Sequence, residues 1–285
     1  VLQPETNKFL VATYGRGLWR GNIPCDVAGG DITITTNTTW NTNRIIPNNL
    51  IIEAGATLTI NNSEVSFAGQ KKLIIKQNAK LILNNTTLDS RCTEKWAGIE
   101  VWGNKLQTQT DQYQGKLMMY NSTIANAHEA VQLWKPGDYS KTGGIIYAEN
   151  STFLNNRRAI SILSYRNMHP IYSIEYDYVA TFKQCQFVNN GNYFADNPFY
   201  SFASLWDVRG VKFRACTFDA GDFSQSAIYA IDAGFKIESI CNGAIGPNGC
   251  LPQDLERCEF YNFDKAISAQ NTLMADLYPI NIQHA

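Results

Sequence analysis

An all-β solenoid is the fold class this chain predicts. Three observations carry it: a corner motif that recurs seven times, short strands alternating apolar with polar residues, and an abundance of turn residues. The corners are Asn62-Ser63-Glu64-Val65, Asn85-Thr86-Thr87-Leu88, Asn121-Ser122-Thr123-Ile124, Asn150-Ser151-Thr152-Phe153, Gln184-Cys185-Gln186-Phe187, Ala215-Cys216-Thr217-Phe218 and Arg257-Cys258-Glu259-Phe260. Their small central residues recur every 23 to 42 residues. A coil of about 22 residues with variable insertions explains those intervals, because a loop lengthens at low entropic cost where a corner meets water. Strands repeating at this period stack as coils of a parallel β-helix, ~4.8 Å apart, with equivalent residues in ladders.

Composition sets outer bounds. At 285 residues the chain can bury a large core, as one elongated unit or two ordinary domains. A net charge of -1 provides no chain-wide basic field, so neither nucleic acid nor an anionic lipid surface is an expected partner. Charged residues make up only 17% and aromatics 12%, with Asn, Thr, Ser and Gly plentiful, which suits exposed β-structure with many turns. No apolar run reaches the ~18 residues of a spanning helix, so no membrane span is expected. Val1-Leu2-Gln3-Pro4 has neither a basic start nor an apolar core and does not read as a signal peptide. The expectation is a signal already removed, or a piece of a longer protein.

Taken in order, residues 1–30 read as an N-terminal strand and linker, and residues 31–285 as the β-helix. Lys8 to Arg20 is a strand, a Gly15-Arg16-Gly17 turn and a second short strand; Pro24, Gly29 and Gly30 mark the linker. Asp31 starts the alternation, and Asn48 to Asn62 opens the repeat proper. The fullest coil is 144–163: an alternating strand, the Asn150 corner, an Asn155-Asn156 turn and a second alternating strand. At each corner Asn suits a left-handed turn, and the small residue shares its inward face with the apolar residue two positions on. Turn chemistry also explains the sequons at Asn37, Asn85, Asn121 and Asn150 without any glycan.

The second strand recurs as 98–102, 130–134, 159–163, 227–231 and 266–270, and 202–208 belongs to the same set with its register open. Apolar residues after the leading Ala or Gly are predicted to face in and the intervening ones out. The last residues, Asn281 to Ala285, fall in a candidate further strand. Adjoining modules are expected there, since an uncapped coil exposes strand edges.

Seven cysteines divide by context. Cys241 and Cys250 bracket a turn-rich loop able to close a short disulfide, which favours an oxidising compartment. Cys25 and Cys92 are placed for a second bridge pinning the N-terminal segment to the first coils. Cys185, Cys216 and Cys258 sit in the corner motif and are expected as a buried ladder of free thiols, behaving as small hydrophobes. A metal site needs close Cys pairs or nearby His; neither occurs, and no metal is expected.

Two resemblances rest on these residues. Ala12-Thr13-Tyr14-Gly15-Arg16-Gly17-Leu18-Trp19 resembles the closing strand of sialidase-like, BNR-type propellers, which implies a propeller upstream; the other reading is a strand capping the coil. Residues 31–285 resemble the right-handed parallel β-helix repeat proteins of the pectate-lyase-like superfamily. They are most similar to the non-catalytic, Asn- and Thr-rich forms in large secreted bacterial surface proteins, often type IX secretion cargo with modules on both sides. That resemblance implies an extracellular, cell-surface location and a structural or adhesive role, with a polysaccharide or surface protein as partner. One scaffold hosts many activities, so it identifies the fold better than the function.

Relatives of this fold include polysaccharide lyases and glycoside hydrolases, so a carbohydrate-active enzyme is the alternative. A lyase needs outward acids on adjacent coils to hold Ca2+, plus an Arg or Lys base; a hydrolase needs two or three converging carboxylates. The aligned outward row reads Glu100, Gln132, Ser161, Tyr229, Ser268: one acid, then neutral groups. Asp207 and Asp232, with Arg209 and Lys212 close in sequence, form the best enzymatic constellation, against a reading as solvated strand-end residues. Ca2+ is expected only with the lyase alternative, and no other cofactor is. His128, His169 and His284 are too scattered for a Ser-His-Asp arrangement.

Aromatic residues supply the binding candidates. Trp102 and Trp134 hold equivalent places on neighbouring coils, where two flat rings on one outer face would suit a sugar. The competing expectation is that the insertions 103–115, 135–144 and 164–178, with their tyrosines, fold back and cover them.

Overall fold

The computed structural model describes residues 28–92, 94–193, 198–223, 225–244, 249–272 and 278–283, and the backbone of three N-terminal strands. Those strands, Leu2–Gln3, Lys8–Thr13 and Gly17–Asn22, pair antiparallel. From Ile32 onward the three long sheets are parallel. The first holds nine strands, from Ile32–Ile34 to Ile267–Gln270; the second nine, from Thr38–Trp40 to Asn281–Gln283; the third eight, from Arg44–Ile46 to Glu259–Tyr261. The chain visits first, second and third sheet in turn and then returns, so each strand pairs with its equivalent one coil away. It is a parallel β-helix, wound in the right-handed sense that twisted strands impose on parallel crossovers.

Period-two alternation decides what enters the core. In Thr57–Asn61 only Leu58 and Ile60 are buried; Lys80–Asn84 repeats this with Leu81 and Leu83, and Lys116–Tyr120 with Leu117 and Met119. After six of the second-sheet strands the backbone turns through one left-handed residue. Asn62, Asn85, Asn121, Asn150, Gln184 and Ala215 all have φ between 47° and 51°. Asn tolerates this conformation because its short side chain bonds locally, as when Asn85 Nδ2 donates to Asn62 Oδ1 at 3.1 Å.

The following residue then points inward. Ser63, Thr86, Ser122, Ser151, Cys185, Cys216 and Cys258 are all buried in one row. Their polar atoms serve the neighbouring coil: Thr86 N–H donates to Ser122 Oγ at 3.1 Å, and Ser122 N–H to Ser151 Oγ at 3.2 Å. Cys185, Cys216 and Cys258 are free thiols within this row. Two residues further on, Phe153, Phe187, Phe218 and Phe260 form a column of stacked rings, with centroids 4.8, 4.7 and 4.9 Å apart. Each such pair adds about 0.5–1.5 kcal/mol beyond its buried area.

Cys241 and Cys250 are joined in a disulfide. Cys92 is disulfide-bonded as well; Cys25, its expected partner, lies outside the described residues, as does His284. Among the described residues no helix is long and apolar enough to cross a membrane. Pairing also settles the open register of 202–208: Ser204 lies opposite Ser161 on one side and Tyr229 on the other, in the outward row.

Candidate functional site

Three insertions leave the same edge of the first sheet, at 102–115, 133–144 and 163–179, and buried amides weld them into a wall. Gln114 is fully buried; its amide nitrogen Nε2 donates to the carbonyls of Asn104, Gln107 and Thr108, and its Oε1 accepts from Asn104 N–H at 2.6 Å. Gln109 Nε2 donates to the carbonyls of Gly143 and Gly144, while its Oε1 accepts from Val179 N–H. Asn167 joins the first insertion to the third, accepting from Gln109 N–H and donating to Asp177 O. Tyr165 and Tyr178 hydroxyls donate to Gln107 O and Gly144 O, and burial pushes both phenols up from their ordinary value. Gln109, Gln114 and Asn167 are therefore committed to holding shape, which suits a rigid rim.

Beside this wall runs a groove. One part, of about 410 Å³, is lined by Lys105, Tyr139, Thr142, Leu163, Ser164 and Trp206. A second, of about 170 Å³, shares Leu163 and Trp206 and continues over Ser161, Ser204, Tyr200, Tyr229 and Arg158. Its path follows from the outward row. Ser161, Ser204 and Tyr229 are stacked on consecutive coils, and Leu163, Trp206 and Ile231 lie two residues further along the same face. Trp206 is 49% exposed, Tyr139 62% and Tyr200 40%, so three rings border the groove in contact with solvent.

Hydroxyls and one guanidinium supply its polar groups. Arg158 is held from two sides: its Nη1 pairs with Glu129 at 3.1 Å, and its guanidinium lies 4.3 Å from the Tyr200 ring centre. Burial raises the Glu129 carboxyl while Arg158 and Arg157 act against that rise. Two atoms of the lining, Thr142 Oγ1 and Arg158 Nε, are buried with no protein partner. Native structures leave few such groups, and each calls for an explanation.

The two expected tryptophans lie at one end of this system, half-buried under the insertions rather than stacked on each other. Trp134 stacks on Tyr139, centroids 5.8 Å apart and planes 6° apart. Trp102 is faced by the Lys135 amine at 4.8 Å and donates through Nε1 to Glu100 Oε2 at 2.8 Å. Glu100, the one acid of the outward row, is buried there and also pairs with Lys72 at 2.7 Å. The covering loops are the reason: a residue can face away from the solenoid core and still be shut off from water.

Asp207, Arg209 and Asp232 are engaged separately. Asp207 and Asp232 occupy equivalent left-handed corners on consecutive coils, with φ of 47° and 50°. Asp207 accepts from Ser164 Oγ at 2.6 Å at the margin of the groove. Asp232 is buried rather than solvated and accepts from the backbone N–H and hydroxyl of Thr272. Arg209 turns to Asp177, which also draws Lys212 and takes a 2.6 Å bond from Lys236. Lys236 comes from the next coil of the second sheet, so Asp177 ties the third insertion to two coils. Among the described residues no three His, Cys, Asp or Glu side chains converge as a metal site.

Sequence reasoning singled out Trp102 and Trp134 but not Trp206. The signal was present: once Ser204 is aligned with Ser161, alternation sends Leu205 inward and Trp206 outward.

No protein-family model and no curated protein matches the chain. Among solved structures it is similar to the family 28 exopolygalacturonase of Yersinia enterocolitica, at 12% identity and a TM-score of 0.36, over 84% of this chain and 45% of that one. The chain thus spans under half the length of that enzyme, and its functional reading rests on its own residues.

Proposed function

We propose that the protein is a secreted, adhesive module that holds a glycan in the groove along its first sheet. The observation supporting this is the pairing of solvent-facing rings (Trp206, Tyr139, Tyr200) with hydroxyls and Arg158 on a rigid floor. Flat apolar surfaces beside a few fixed polar groups are what a sugar requires, with one face of CH groups and an edge of hydroxyls. Thr142 Oγ1 and Arg158 Nε, buried without a protein partner on residues of the lining, are atoms that a bridging water would satisfy. The Cys241–Cys250 disulfide agrees with an oxidising, extracellular setting.

A glycan array followed by titration tests the proposal. Saturable binding is expected, falling about tenfold or more in Trp206→Ala with the melting temperature unchanged. No reproducible binding, or binding indifferent to Trp206→Ala, overturns it. The second reading, a carbohydrate-active enzyme, is favoured by one feature: Asp207 stands at the groove margin. Release of sugar products from pectin, alginate or chondroitin, with or without Ca2+, and its loss in Asp207→Asn, would establish that reading instead.

A further inference from the structure

One corner between the third and first sheets brings together an amine, an amide and a carboxyl that the groove does not use. Lys95 is fully buried. It precedes Trp96 as Asn126 precedes Ala127, and Trp96 pairs with Ala127 across neighbouring coils. Lys95 and Asn126 therefore stand one coil apart, ~4.8 Å along the solenoid. The Lys95 amine donates to the carbonyl of Asn155, a further coil on, so its side chain runs past Asn126. From the other side, Asn126 Nδ2 donates to Asp89 Oδ1 at 2.8 Å. Asn126 Oδ1 is buried without a hydrogen-bond partner. The ring of Tyr193 closes the amine off at 4.1 Å.

We propose that Lys95 and Asn126 are joined by an intramolecular isopeptide bond, promoted by Asp89. The chemistry needs an uncharged amine, an amide carbon held beside it, and a neutral acid bonded to the leaving nitrogen. Burial supplies two of these at once. It pushes the Lys95 amine down to about 8, and it raises the Asp89 carboxyl toward its protonated form. The Nζ lone pair attacks Asn126 Cγ, and the Cγ–Nδ2 bond breaks. Asp89 gives a proton to the departing nitrogen and recovers one from the amine, so ammonia leaves and Asp89 is regenerated. No oxidant or co-substrate is consumed. The product also removes the cost of a buried ammonium and clamps two consecutive coils covalently, independently of any ligand in the groove.

Mass spectrometry of the purified full chain, reduced to open its disulfides, decides the matter. The expected mass is one ammonia below that of the sequence, and digestion is expected to yield one branched peptide containing Lys95 and Asn126. A chain at its full sequence mass, before and after incubation at pH 8, overturns the proposal; so does a loss that maps elsewhere. Asp89→Asn is expected to stay at full mass while keeping the wild-type circular dichroism spectrum. A cross-link formed equally fast in that variant removes Asp89 from the reaction. Should the variant fail to fold, the branched peptide of the wild-type chain still settles whether the bond exists.

Discussion

A Cβ added to Gly98 would lie 1.7 Å from the carbonyl oxygen of Glu129 on the next coil. Gly98 has φ of 103° and sits where the first-sheet register slips between 98 and 99. Both the backbone angle and the contact exclude a side chain. Gly98→Ala is expected to cost more than about 3 kcal/mol, read as a collapsed denaturation midpoint or as insoluble protein. A variant that melts within a few degrees of wild type would contradict this packing.

Gln114 presents a different kind of dependence. Its carboxamide answers four backbone groups of the first insertion. Gln114→Leu keeps the volume and strands those groups, at about 1–3 kcal/mol for each that stays buried. Because the insertion can open to water, the loss is expected locally: faster amide exchange over 103–115, with the strands of the second sheet protected as before. Uniform exchange across the chain would disprove that separation.

Asp111 ties the first insertion to the second sheet, lying 2.9 Å from Lys116 and 3.0 Å from Lys80. Partial burial opposes ionisation there, yet the hydrogen bonds from both lysines hold its carboxyl below the ordinary value. A depressed carboxyl pKa contributes stability that is present above the unfolded value of 3.8 and lost as pH falls through the lower folded value. The side chain is half exposed, so screening limits the effect. Asp111→Asn is expected to cost at most about 1 kcal/mol at pH 7. The difference from wild type should vanish in acid below the folded value and shrink in high salt; a pH-independent difference would rule out the ionic account.

The corner thiols are expected to be inert in the folded chain. Burial pushes the Cys216 thiol well up, and it donates to the carbonyl of Phe182 at 3.4 Å, so little thiolate is presented. A thiol reagent should label Cys185, Cys216 and Cys258 only after denaturation. Cys216→Ser mirrors Ser122 and Ser151 in the same row and is expected within about 1 kcal/mol of wild type, whereas Cys216→Leu overpacks the site by about 1–3 kcal/mol. Calorimetry that ranks the two the other way would count against the ladder.

The fold was readable from sequence because each corner compresses four constraints into four residues. Asn150 takes the left-handed turn, Ser151 fills the small inward slot, Thr152 faces out, and Phe153 joins the ring column. Every one of these is local. What covers the outward row is not. Alternation places Glu100 and Trp102 on the outward side of their strand, but it reports only which side a residue takes and not what covers it. Trp102 is covered by Lys135, delivered by another insertion, and Glu100 is bonded beneath Trp102. Asp232 followed the same rule: its partner Thr272 arrives from the next coil. The floor of the groove follows the repeat's outward row, but its wall, made by loops meeting across coils, does not.

The corner row also gives the solenoid a direction. The Thr86 and Ser122 amides each donate to a side-chain oxygen of the coil that follows, and the Cys216 amide donates to the Cys258 sulfur of its own successor. At these three corners a coil added from the N-terminal side leaves one amide open at its growing face, and the next turn supplies the acceptor that closes it.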